Sequence, residues 1–160
     1  MRPVIAVAAL VAFPCLALAQ NPAAADREAI LVTVQKFFDT MTSRDVAGAR
    51  SVLISEGRSF AVVDGTAQPT FRSRSIQEYL DTLATRKEAF VERFWNPEVR
   101  IQGPIAVVWT PYDFWIDGRF SHCGVDAFTL VKTPEGWKIS GAVYTVQRDG
   151  CAPSPLGPLK

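Results

Sequence analysis

The stretch Ala106–Ile139, AVVWTPYDFWIDGRFSHCGVDAFTLVKTPEGWKI, decides how the chain is read. Apolar and polar residues alternate with a period near two, which is the spacing of a strand with one face buried. Asp117-Gly118 is a two-residue hairpin signal between Ile116 and Arg119, because both positions tolerate the left-handed backbone that such turns need. Pro134-Glu135-Gly136 closes a second hairpin, with Gly136 supplying the left-handed residue. Three antiparallel strands follow.

These turns imply a register. The first sets Trp115 opposite Phe120, Asp113 opposite His122 and, farther out, Trp109 opposite Asp126. Pro111 would then face Gly124, where a missing donor and a missing side chain predict a bulge or sharp bend. The second turn sets Tyr144 opposite Asp126 and Ala142 opposite Phe128. One face would carry Trp109, Asp113, Trp115, Phe120, His122, Asp126, Phe128 and Tyr144. The other would carry Val108, Tyr112, Phe114, Cys123 and Val125. The first mixes large aromatics with a few polar groups, the make-up of a small-molecule cavity.

His122 is the only histidine in 160 residues. Beside a carboxylate its pKa would rise, and such a pair can orient the ring for proton transfer near neutral pH. His122 and Asp113 are therefore the candidate catalytic pair. Trp109, Trp115, Phe120, Asp126, Phe128 and Tyr144 are the candidate ligand contacts, with Tyr144 or Asp126 able to stabilise a developing oxyanion. A structural ion pair between His122 and Asp113 is the plainer alternative.

Upstream, FVERFW and PEVRIQ read as further strands, broken at Asn96-Pro97 and Gly103-Pro104. Before them the period lengthens to that of helices. SIQEYLDTLATRK offers Ser75 as N-cap with Glu78 three residues on, a capping box. RSFAVVDG reads as a strand, and Asp45 caps a short helix through VAGARSVL. Asp26 is the expected cap of a long amphipathic helix carrying Ile30, Val34, Phe37, Phe38 and Met41.

Residues 1–19 have the marks of a secretory signal: Arg2, an apolar run to Leu18, and Ala17 and Ala19 at the cleavage spacing. Residues 20–150 then form one domain, and residues 151–160 a Pro-rich C-terminal tail. Without Arg2 the basic residues fall from 17 to 16, equal to the 16 acidic ones. That balance gives no electrostatic reason to expect nucleic acid, or a membrane surface once the signal is cut. Cys15 would leave with the signal. Cys123 and Cys151, 28 residues apart, would remain to form a disulfide in an oxidising compartment, secreted or periplasmic. One histidine and two cysteines make a poor zinc site, and no metal or other cofactor is expected.

Helices first, then a long meander, is an α+β layout. The order of elements, and above all the strand, Asp-Gly turn, strand ending FTLVK and following GWKI, resemble the nuclear transport factor 2-like or SnoaL-like superfamily over about Asp26 to Val146. That resemblance implies a cone-shaped roll, with N-terminal helices packed on a strongly bent antiparallel sheet. It leaves chemistry open, since the superfamily includes isomerases, dehydratases, cyclases and non-catalytic modules. Three functions stay in play: binding of a small apolar molecule, an isomerase, dehydratase or cyclase using the His122–Asp113 dyad, and a homodimeric interaction module.

Overall fold

The computed structural model describes residues 22–63 and 68–159. The expected signal peptide lies outside the described residues. Among the described residues, three helices, α1 (Pro22–Ser43), α2 (Val46–Val52) and α3 (Ile76–Thr85), pack on a sheet of seven strands: β1 (Leu53–Val63), β2 (Thr70–Ser75), β3 (Phe90–Phe94), β4 (Glu98–Gln102), β5 (Ile105–Ile116), β6 (Arg119–Thr133) and β7 (Gly136–Val146). The strand order is β2-β1-β7-β6-β5-β3, with β4 beside the start of β5.

The sheet is mostly antiparallel, but β1 runs parallel to β7. Hairpin reasoning sees only strands adjacent in sequence, so it could not place this pair. Strand β2, TFRSRS, was not expected either. All but its last residue are exposed, so the apolar alternation that marks a strand is absent. It forms because β1 offers it a complete antiparallel ladder.

Local signals account for the helix ends. Asp45 accepts from Gly48 N at 2.8 Å to start α2. Ser75 and Glu78 form the reciprocal capping box of α3. Asp26 is not a cap: α1 begins at Pro22, and the Asp26 carboxylate instead accepts from Lys132 Nζ at 2.6 Å and Trp137 Nε1 at 3.1 Å. It thus fastens the helix to β6 and β7.

The core lies between the helices and one end of the concave sheet face. Ile30, Val34 and Phe38 of α1 and Leu80 and Leu83 of α3 meet Val108, Phe128, Leu130 and Ile139. The even-numbered residues of β5 and, from His122 onward, those of β6 point inward. The far end of the same face is not filled by helix, and there the cavity opens.

The Asp117-Gly118 turn has both residues left-handed, φ 51° and 74°. Trp115 opposes Phe120 as expected. The register then shifts at Ser121, one extra residue on β6, so that Phe114 opposes His122 and Asp113 opposes Cys123. The bulge comes before His122, not near Pro111 and Gly124. One inserted residue reverses the parity of everything beyond it on β5. Trp109 accordingly opposes Ala127 and turns outward, while Tyr112 and Phe114 turn inward. On the β6–β7 side, Asp126 opposes Tyr144 and Phe128 opposes Ala142, the expected pairing.

Candidate functional site

A cavity of about 660 Å³ occupies the unfilled end of the cone. That is within the range of small-molecule pockets. Phe37 of α1 and Tyr79 of α3 form its roof, their rings 5.5 Å apart. Phe90, Phe114, Phe128 and Tyr144 form much of its floor and walls. The lining is mostly apolar and aromatic, with a small set of ionisable groups.

Glu92 and Asp126 are the central pair of these. Asp126 is only 3% exposed, and its Oδ2 has no hydrogen-bond partner among the described residues. Glu92 is half-buried; its accessible part borders the cavity, so it too is largely withdrawn from bulk water. The two carboxyls lie within hydrogen-bonding reach of each other. Burial pushes the Glu92 pKa well up, and the neighbouring Asp126 charge and hydrogen bond push the same way. Burial also raises Asp126, partly offset by the hydrogen bond from Glu92. Two buried carboxyls in contact resist double ionisation, which favours a proton between them, donated by Glu92 to Asp126.

Curvature brings them together. Glu92 pairs with Phe114, and Asp126 with Thr110, so they lie two strands and four residues apart on the sheet lattice. In a flat sheet that is a separation of about 16 Å. Their contact exists because the sheet curls. Sequence reasoning did not single out Glu92. The available signal was a carboxylate at the inward position of FVERF, between Phe90 and Phe94 on the same face.

His122 also lines the cavity, its ring stacked on Phe114 at 4.7 Å and edge-on to Tyr112. Its Nδ1 lies 3.0 Å from Ser121 Oγ. Burial, with a smaller contribution from the Arg148 charge, lowers its pKa to about 4. This reverses the expected upward shift, because the expected carboxylate is elsewhere. As the only histidine, it should give one resolved imidazole titration by NMR with a midpoint near 4. A midpoint at or above 6.5 would contradict the packing described. The same shift means that, as pH falls from 6.5 towards 4, the unfolded chain takes up a proton that the folded one refuses. His122 therefore lowers stability across that window, and His122→Phe should flatten the loss.

Asp113 sits on the opposite face of the sheet, 2% exposed and clamped by Arg93. Arg93 donates from Nε to Oδ1 at 2.9 Å and from a terminal nitrogen to Oδ2 at 2.5 Å, and also reaches Gly157 O at 2.8 Å. The parity change at Ser121 thus separates the expected dyad across the thickness of the sheet. Beside it, Cys123 and Cys151 are joined in a disulfide. Residues 151–159 have no helix or strand, yet this bridge and the Arg93 contact fix them to the back of the sheet.

Asp126, Phe128 and Tyr144 line the cavity; Trp109, Trp115 and Phe120 do not. Trp109 is 55% exposed on the convex face. Trp115 packs edge-on against Phe120 and beneath the Arg93 guanidinium. Tyr112, assigned by sequence to the other face, lines the cavity and donates its hydroxyl to Thr145 O at 2.6 Å.

A family model described as "putative lumazine-binding" matches residues 25–145. The chain belongs to this lumazine-binding-like family. No curated protein matches the chain. Among solved structures, a nuclear transport factor 2-like protein from Streptomyces avermitilis described as a "putative dehydratase" superposes with TM-score 0.62 at 18% identity, over 78% of this chain and 97% of that one. One from Novosphingobium aromaticivorans with a cystatin-like fold gives 0.62 at 17%, covering 81% and 86%. Another from Cytophaga hutchinsonii gives 0.63 at 13%, covering 75% and 97%. These likenesses show that the lumazine-binding-like chain shares the fold of nuclear transport factor 2-like proteins, and they speak to fold alone.

Proposed function

We propose that the domain binds a small, largely apolar molecule, with a hydrogen-bond donor of that molecule seated on Asp126. The observation that carries this reading is the unpaired Asp126 Oδ2, buried and bordering an aromatic cavity. An unsatisfied buried carboxylate oxygen is costly, and a ligand N–H or O–H would relieve that cost. The family's description as lumazine-binding supports small-molecule binding in general. Native mass spectrometry of protein purified gently from its host should show a bound mass. Asp126→Asn should weaken that ligand by about tenfold or more, the usual worth of a hydrogen bond to a charged group. A wild-type spectrum showing only the bare chain, in a host that makes the ligand, would count against the reading.

A second reading is proton-transfer catalysis of the isomerase, dehydratase or cyclase type. The shared proton of Glu92 and Asp126 favours it, because such a pair can both take and return a proton. In that case Glu92→Gln would abolish turnover while leaving ligand affinity within a few-fold. His122 would contribute as a neutral imidazole, without Asp113.

The N-terminal stretch and the Cys123–Cys151 bridge support export to an oxidising compartment. The convex face, where Phe60, Val107, Trp109 and Val143 are exposed, supports a homodimer formed through the sheet, to be tested by light scattering.

A further inference from the structure

Four arginines border the cavity: Arg72 and Arg74 of β2, Arg86 just after α3, and Arg148 just after β7. None takes part in an ion pair among the described residues, whose bridges are Arg93–Asp113, Lys132–Asp26 and Lys138–Glu135. Arg72 and Arg74 are exposed on an edge strand, where nothing in the packing requires a guanidinium. Glu78, the nearest acid to Arg74 in the sequence, feels the Arg74 charge but makes its hydrogen bonds to Ser75 and no ion pair with the guanidinium.

Their charges are felt inside. Tyr144, on the cavity wall, has its phenol pKa raised by burial, but Arg74 and Arg72 pull it down while Glu92 and Asp126 push it up. Tyr79 on the roof is pulled down by Arg86 and Arg74 against its burial. Arg86 lies over the Phe90 ring and Arg148 acts on His122, whereas Arg72 and Arg74 put two charges together at the β2 edge of the cavity, away from the Glu92–Asp126 pair. The sheet register sets an upper limit on the distance between the β2 arginines and Asp126: Arg72 pairs with Ala61, Ala61 with Tyr144, and Tyr144 with Asp126. Three strand spacings are about 14 Å along the sheet.

Building on the binding reading above, we propose that the ligand is an apolar acid, its anionic group held by the Arg72 and Arg74 rim and its opposite end reaching towards the Glu92–Asp126 pair. A rim of guanidiniums recognises carboxylate or phosphate oxygens through paired N–H donors. The reverse orientation would bury the anion against Asp126 and is excluded by charge. The aromatic walls between the two ends take the apolar body.

Isothermal titration of the full chain at low salt with 12-hydroxydodecanoate, whose far hydroxyl can donate to Asp126, and with dodecane-1,12-diol as its uncharged counterpart, tests this. The acid should bind about tenfold more tightly than the diol, as two partly screened ion pairs permit. The preference should shrink as salt is added. In the double variant Arg72→Gln/Arg74→Gln the ratio of the two affinities should fall to about one, and Arg72→Lys/Arg74→Lys, which keeps the charge but not the paired donors, should restore only part of it; thermal melts of both variants confirm that the fold is kept. Equal affinity of the wild type for acid and diol, or a preference that survives in the glutamine variant, would overturn the anion assignment. Binding of the diol would then still uphold the cavity reading. Binding of neither probe would overturn both.

Discussion

Replacing Asp113 with alanine should lower the stability of the domain by about 3 kcal/mol, near the lower end expected for breaking a buried ion pair. Asp113 is almost fully enclosed, and both its oxygens are taken by Arg93. Its loss leaves a guanidinium with one remaining carbonyl partner, Gly157 O. Arg93 is partly exposed and can regain some hydration, which keeps the loss from the top of the range. The expected readout is a melting temperature lower by about 10 °C, with binding in the cavity unaffected at temperatures where the fold persists. Adding Arg93→Met to the Asp113→Ala chain should recover much of the loss, because the uncompensated charge goes with it. Unchanged melting in the single variant would show that the clamp contributes nothing. Loss of ligand binding without loss of stability would return Asp113 to the site.

Cys151→Ser should cost about 3 kcal/mol as well. The bridge closes a loop with 28 residues of separation, and releasing it restores that freedom to the unfolded chain. It also frees residues 151–159 from the back of the sheet. Thermal melts with and without reductant check this. The wild type should lose stability on reduction, and the variant should not respond. Because the disulfide and the Arg93–Gly157 contact hold the same segment, the effects of Asp113→Ala and Cys151→Ser should add to less than their separate values. Full additivity would mean that the tail is anchored by other means.

These two sites also show how far the residues alone could be read. Strand limits from Phe90 to Val146 followed from alternation and turn chemistry, and Ser75 with Glu78 marked a helix start directly. The β6–β7 pairing of Asp126 with Tyr144 came out as expected by compensation: Thr133 pairs with Gly136, so the loop is Pro134-Glu135 and not the three residues to Gly136, and the bulge between Thr129 and Leu130 restores the outer register. The β5–β6 register failed for a local reason. Nothing in FSHC announces that Ser121 is the inserted residue, yet that insertion decides which side of the sheet Asp113 takes. Glu92 and Asp126 were beyond pairwise strand logic, because their contact depends on how sharply the whole sheet bends. The arginine rim was hidden in β2, whose polar composition disguises a strand.

The strand order has a temporal side. β7 lies between β1 and β6, so the half of the sheet carrying β1 and β2 is joined to the rest only through the last strand to be made. A growing polypeptide on the ribosome thus has α1, α2 and the β1–β2 hairpin in hand long before their central support emerges. Until Gly136–Val146 appears, the described part of the chain has no complete core to collapse onto, so folding waits on the final strand.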